Sequence, residues 1–78
     1  MKPGDMVRLH RSAKSYVNMY EDEELVRIEN GERFHVDEIG LVLEVEGKGN
    51  YSHLKVLTPR GVMGWIHIFR LEVVSEGG

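Results

Sequence analysis

Cysteine is absent from this chain of 78 residues. A disulfide framework, a thiolate zinc site and a cysteine nucleophile are therefore excluded. Long apolar runs are missing too, since no stretch approaches the ~20 apolar residues that a membrane-spanning helix needs. No signal-peptide core precedes the first strand pattern. We therefore expect a cytoplasmic protein that has no membrane partner.

The length leaves room for one domain, because typical domains have about 100–150 residues. Hydrophobic residues make up 41% of the chain and charged residues 29%, which is close to the average of folded globular proteins. A chain this short buries only about 60–65% of its unfolded surface, so its core must be compact. We expect a single domain over residues 1–74 and a flexible C-terminal tail over residues 75–78.

Acidic residues are concentrated in the middle third of the sequence. Residues 1–20 have four basic side chains and one acidic side chain, and residues 47–78 have four basic and two acidic. Residues 21–46, in contrast, have ten acidic and two basic side chains, a net charge of −8. The whole chain has a net charge of −3, which disfavours non-specific binding to nucleic acid.

The dominant pattern is a short run rich in Val, Ile and Leu that ends at Gly, Pro or Asn, which is typical of strands and turns. Such runs predict strands at Asp5–His10, Gly40–Glu46, Tyr51–Thr58, Val62–Ile68 and Leu71–Val74. Short connections make neighbouring strands antiparallel, and short strands in so small a chain must curl around one core. The expected fold is all-β, a small and partly open barrel of five to six antiparallel strands.

Two local features complete the expected fold. Asn30-Gly31 lies between the apolar segments Leu25–Ile28 and Phe34–Val36, and this pair is the strongest short-range signal for a two-residue hairpin turn. The polar segment Ser12–Glu24 has no clean period and ends in four acids. We interpret it as one long N-terminal loop with room for a short strand.

The last third of the chain resembles the end of a Src-homology-3-like (SH3-like) barrel. A strand, the turn Pro59-Arg60-Gly61 and a second strand lead to Gly64-Trp65-Ile66, then to a short break and a closing strand. The opening Gly4-Asp5-Met6-Val7, together with Gly40-Leu41-Val42, is similar to the KOW and Tudor-like branch of these barrels. The whole pattern also resembles small uncharacterised proteins of tailed bacteriophages. The resemblance implies an SH3-like barrel with an accessory or assembly role in a phage, although such barrels host many unrelated functions.

The chain departs from the peptide-binding members of that family at two places. Those members bind polyproline helices in an aromatic groove that includes a Pro and a Tyr after the Gly-aromatic-Ile strand. Here His67 and Arg70 stand at those positions, and the paired tryptophans of the mid-chain strand are replaced by Leu54–Leu57. A proline-rich ligand is therefore not expected.

The sequence contains no recognisable catalytic or metal-binding motif. The four histidines, at positions 10, 35, 53 and 67, do not form the close pairs that metal sites use. Gly47-Lys48-Gly49-Asn50 resembles a phosphate loop, but its flanking strands favour a hairpin turn. We expect no enzyme, no cofactor, no bound metal and no small-molecule substrate.

Loop aromatics and the acidic run are the candidate binding residues for a protein partner. The set comprises Tyr16, Tyr20, Glu21, Asp22, Glu23, Glu24, Tyr51 and Trp65. The acidic run either docks a basic partner or is a solvated loop. The two tyrosines either fold over one end of the barrel or form a binding patch, and Trp65 is either barrel core or a stacking platform.

We expect a non-catalytic protein-interaction module, and two other functions remain open. One is nucleic-acid binding by a small basic patch of Arg8, Arg11 and Lys14, which would give modest and salt-dependent affinity. The other is self-assembly, in which the open edges of the barrel pair between copies.

Overall fold

The computed structural model describes residues 1–21 and 28–75, with the backbone alone at 28–31 and 75. The described residues form one curled antiparallel sheet, and they contain no α-helix. Its strands are β1 (Met6–Leu9), β2 (Tyr16–Tyr20), β3 (Ile28–His35), β4 (Gly40–Glu46), β5 (His53–Leu57), β6 (Met63–His67) and β7 (Leu71–Ser75). Two single turns of 3₁₀ helix, Gly49–Tyr51 and Ile68–Arg70, precede β5 and β7. The predicted all-β class and barrel-like curl are confirmed.

The described residues form seven strands, where the sequence predicted five or six. Their order in the sheet is β3-β2-β6-β5-β4-β1-β7, so β2 lies between β3 and β6. This strand occupies part of the segment predicted as a long loop. Val17 and Met19 alternate inward, while Tyr16 and Asn18 are exposed, and this alternation is what allows a polar segment to form a strand.

The predicted Asn30-Gly31 hairpin is wrong within the described residues, and residues 25–27 of that prediction lie outside them. β3 continues through Asn30-Gly31 as one strand and pairs with β2. The pairing shifts between Asn18 and Tyr20, so that residues 29–32 of β3 lie opposite one residue of β2. A conformationally permissive pair suits such a bulge as well as it suits a tight turn. Pairing with β2 on both sides therefore makes Asn30-Gly31 part of a bulge within β3 instead of a hairpin turn.

The other predicted strands correspond to β1, β4, β5, β6 and β7, within two residues at each end. The predicted break at Phe69-Arg70 is a 3₁₀ turn, and Tyr51 ends the other 3₁₀ turn instead of starting a strand. Gly47 and Gly61 have φ angles of 87° and 85° in the connections that follow β4 and β5. Only glycine adopts such angles readily, so these two residues allow the reversals.

Alternate residues of the strands form the core on the inner face of the curled sheet. Met19 and Phe34 are the bulky members from β2 and β3, and both are fully buried. The remaining members of this cluster are Val7, Leu9, Val42, Leu54, Val56, Ile66 and Leu71. The burial of Met19 and Phe34 helps to attach the β2–β3 pair to the other five strands, because the backbone pairing described between β2 and β6 is limited to Tyr20 and Trp65.

Gly64 allows β2 to approach β6 closely. A Cβ atom at this position would lie 2.4 Å from the Cβ of Met19, a distance that real side chains do not adopt. A glycine inside a strand pattern indicates a close strand approach or a bend, and at position 64 the structure shows the close approach.

We expect the variant G64A to destabilise the protein by about 1–3 kcal/mol, because the added methyl group must displace the backbone of β2. The free energy of unfolding, measured by urea denaturation, checks this. M63A is the matched control, since Met63 is the exposed neighbour on the same strand and its truncation should change stability by less than roughly 0.5 kcal/mol. Equal stability of G64A and M63A would contradict the close approach.

An ion pair joins the connection before β4 to the turn before β6. Glu38 accepts hydrogen bonds from the backbone N–H of His35 and from Arg60 Nε, each at 2.9 Å. Arg60 also donates to the carbonyl oxygen of Arg33. Burial raises the pKa of Glu38, but the hydrogen bonds from Arg60 and His35 together lower it by more. The pKa of Glu38 therefore lies below the usual 4.5.

Because the pKa of Glu38 is lower in the folded state, the carboxylate stabilises the protein above about pH 4.5. This contribution is lost as the pH falls through the lower folded pKa. We expect E38Q to flatten this part of the pH dependence of the urea midpoint. E44Q is the control, because Glu44 lies 3.6 Å from Lys55 in a more exposed pair and should leave the slope almost unchanged. Identical profiles for the two variants would show that Glu38 is not the responsible group.

Candidate interaction surface

A cavity of about 250 Å³ opens where β2 lies beside β6. Three of the residues that line it come from β6 and the turn that follows, and the others come from β2. The lining residues are Tyr16, Val17, Asn18, Tyr20, Ile66, His67 and Arg70. Its floor is apolar and its rim contains phenol, amide, imidazole and guanidinium groups. We call this site the β2–β6 cavity.

His67 lies at the centre of an aromatic cluster beside the cavity. Its ring is 6.3 Å from that of Tyr20 and 5.3 Å from that of His53, both in edge-to-face geometry. It stacks on Phe69, with the centroids 4.9 Å apart, and the Cζ atom of Arg70 lies 5.5 Å from the centre of the Phe69 ring. The pairing of β5 with β6 places His53 directly opposite His67, which is why two histidines far apart in sequence meet.

Burial lowers the pKa of His67, and the positive charge that His53 and Arg70 can place beside it lowers the pKa further. At neutral pH the ring is therefore uncharged, because its usual pKa is 6.5. A neutral imidazole offers one N–H donor and one acceptor. Of the cavity-lining residues, Arg70 is then the one that is positively charged at neutral pH.

Two basic side chains lie at the β2–β6 cavity. Arg70 lines it, and the Cζ atom of Arg33 lies 4.2 Å from the centre of the ring of Tyr16, another lining residue. The connection between β1 and β2 contains the exposed Arg11 and Lys14. The backbone N–H of His10 donates to the carbonyl oxygen of Arg70 at 2.7 Å, so this connection starts next to Arg70. Among the side chains that the structure describes, at 1–21 and 32–74, none of the four forms an ion pair with a carboxylate.

The structure brings together three of the predicted partner-binding residues. Tyr16 and Tyr20 both line the β2–β6 cavity, and the exposed Glu21 follows Tyr20. Asp22, Glu23 and Glu24 lie outside the described residues, so the acidic-run hypothesis stays a prediction.

The two other predicted aromatic residues differ in exposure. Tyr51 is 85% exposed at the end of the first 3₁₀ turn. The second 3₁₀ turn lies beside it, because the N–H of Ile68 donates to the carbonyl oxygen of Ser52 at 3.0 Å. Trp65 is only 7% exposed, opposite Tyr20 and Lys55. Its ring therefore offers a partner little surface.

The three residues proposed for nucleic-acid binding differ in their partners. Arg8 lies in the β1–β7 pair, where its Nε donates to Glu72 at 2.9 Å. Arg11 and Lys14 are exposed in the connection between β1 and β2. Arg8 thus already has a carboxylate partner, and the basic-patch hypothesis stays a prediction.

Asn18, His67, Phe69 and Arg70 were not among the predicted binding residues. The resemblance contained a signal for two of them, since His67 and Arg70 stand where peptide-binding SH3-like barrels have groove residues. In the sequence, the presence of His67 and Arg70 at the Pro and Tyr positions of the groove was interpreted as the loss of binding to proline-rich peptides. The structure shows that both side chains still border a cavity.

The described ranges contain no group of three His, Asp or Glu side chains that could hold a metal ion. The same ranges contain no helix of the length and apolar character that crossing a membrane requires.

Removal of the Arg70 charge should raise the pKa of His67, because that charge disfavours the protonated ring. We expect R70Q to show this rise in an NMR titration of the imidazole resonances. R11Q removes the same charge at a position that does not act on His67, so it should leave the pKa unchanged. An unchanged His67 pKa in R70Q would contradict the placement of the guanidinium beside the ring.

Comparison with family models, with curated proteins and with solved structures found no match to this chain. The described residues form a curled antiparallel half-barrel.

Proposed function

We propose that the protein is a non-catalytic protein-interaction module. Its partner binds across the β2–β6 cavity and the adjoining exposed rings of Tyr51 and Phe69. The observation that carries this proposal is the exposure of those rings, 85% for Tyr51 and 63% for Phe69, beside an arginine and a cavity. Aromatic residues and arginine are enriched in protein interfaces and in their energetic hot spots.

The size and chemistry of the cavity support a binding role over catalysis. Its volume of about 250 Å³ lies below the roughly 300–1,000 Å³ of typical small-molecule sites. Its lining residues include an imidazole but no Ser, Cys, Lys, Asp or Glu. A nucleophile, a base and an orienting group must converge for covalent catalysis, and this lining lacks the Ser, Cys, Lys and carboxylate side chains that most often act as nucleophiles.

The proposal also includes an SH3-like fold and a role in a phage. Resemblance to SH3-like barrels supports that fold, and the cavity follows the Gly64-Trp65-Ile66 strand, where peptide-binding members have their groove. Resemblance to small phage proteins supports an accessory or assembly role in a host cytoplasm. In this proposal the protein keeps the position of the peptide groove and has changed its ligand.

Nucleic-acid binding is the second candidate. It is favoured by Arg70 beside the aromatic cluster and by Arg33 over the ring of Tyr16. Basic groups interleaved with rings are typical of surfaces that bind single strands. The net charge of −3 opposes it, because long-range repulsion slows the approach of a polyanion.

Site-specific photocrosslinking distinguishes the candidates. A benzoylphenylalanine at position 69 is irradiated in a lysate of the cells that naturally make the protein, with and without nuclease, and the adducts are identified by mass spectrometry. The control places the same probe at Met63, which is 44% exposed and lies six residues before Phe69, roughly 13 Å along the extended strand from His67.

We expect protein adducts that survive nuclease at position 69 and are absent at position 63. Adducts to nucleic acid would instead support the second candidate. Adducts to a second copy of this chain would support self-assembly. Equal labelling at both positions, or no adduct at position 69, would contradict the proposed surface.

A further inference from the structure

Arg70 combines an exposed guanidinium with a place in the lining of the β2–β6 cavity. Its Cζ atom lies 5.5 Å from the centre of the Phe69 ring, and among the side chains described at 1–21 and 32–74 no carboxylate forms an ion pair with it. The N–H groups of a guanidinium match a carboxylate in two parallel hydrogen bonds. Arg70 can therefore bind an oxyanion at the rim of the β2–β6 cavity.

The other polar groups of the cavity are compatible with the same ligand. The neutral ring of His67, the phenols of Tyr16 and Tyr20 and the amide of Asn18 can each donate a hydrogen bond. The lining also includes two apolar residues, the partly buried Val17 and Ile66, which is 1% exposed. The site therefore combines several hydrogen-bond donors with the apolar side chain of Val17.

We infer that the β2–β6 cavity is a docking site for an acidic peptide segment, with a carboxylate on Arg70 and a neighbouring apolar side chain on Val17. This inference deepens the proposed protein-interaction function and rests on it. The cavity volume of about 250 Å³ is too small for a typical cofactor. It suits one or two side chains of a peptide that continues across the exposed Phe69 and Tyr51.

The basic surroundings of the cavity support an acidic occupant. Arg33 is exposed and lies over the ring of Tyr16, which lines the same cavity as Arg70, so the two arginines favour the approach of an anionic segment. A polyproline ligand would not use these charges. A basic peptide would be repelled by them. Glu21, the described carboxylate nearest in sequence to a lining residue, directly follows Tyr20.

The test is selection from a display library of short random-sequence peptides on the wild-type protein. We expect the enriched sequences to be acidic, with apolar residues next to Asp or Glu. R70Q should bind an enriched peptide roughly 10- to 100-fold more weakly, the loss of a charge-assisted pair of hydrogen bonds. R70K, which keeps the charge but not the planar fork, should lose less.

K2Q is the matched control, because Lys2 is exposed and lies before β1, away from the lining residues, and its loss changes the net charge by the same amount. Its affinity should equal that of the wild type.

In NMR spectra the bound peptide should shift the resonances of Asn18 and His67, and the pKa of His67 should rise because an anion beside the ring favours its protonated form.

Enrichment of basic, neutral or proline-rich peptides would overturn the acidic-ligand inference, as would equal loss of affinity in R70Q and K2Q. So would the absence of any enriched peptide. These failures differ from failure of the proposed function, which is decided by the crosslinks at position 69. A protein adduct together with non-acidic selected peptides would keep the interaction function and reject this ligand.

Discussion

The contact between Met19 of β2 and Gly64 of β6 is the constraint on which the rest of the structure depends. The β2–β3 pair joins the other strands at this edge, and the backbone register between β2 and β6 is recorded at Tyr20 and Trp65 alone. The join therefore relies on side-chain burial, with Met19 and Phe34 fully enclosed. Without a side chain at position 64, the two strands come close enough for these residues to complete one core.

The same contact creates the candidate site. Side chains alternate along a strand, so the inward placement of Met19 directs Tyr20 to the opposite face. Inward placement of Gly64 and Ile66 likewise directs His67 outward, where it meets Tyr20, His53 and Phe69. A core requirement thus determines which side chains form the aromatic cluster. Mutations that loosen the core at Met19 should therefore affect the site as well.

Local pattern predicted most of the fold, and non-local pairing explains the rest. Strands such as Gly40–Glu46 are apolar and end at glycines, so their boundaries are visible in the sequence. The segment Tyr16–Tyr20 also alternates between inward and outward side chains, but only two of its residues point inward. Charged residues flank it on both sides, which hides the pattern in the sequence. Its identity as a strand depends on β3 and β6, which lie far along the chain. Asn30-Gly31 shows the converse, because a strong local turn signal was overridden by pairing with β2.

The candidate site was harder to predict because its chemistry comes from contacts between distant residues. Tyr16 and Tyr20 could be selected from the sequence as loop aromatics, but nothing local placed Arg70 beside them. The hydrogen bond from His10 to the Arg70 carbonyl and the 3₁₀ turn that exposes Phe69 produce that arrangement. Leaving a Phe side chain largely in water forgoes roughly 1.5–3 kcal/mol of burial energy, a substantial amount for a domain with so small a core. Position 69 is where a partner could recover that energy, and Arg70 beside it would give the contact its charge selectivity.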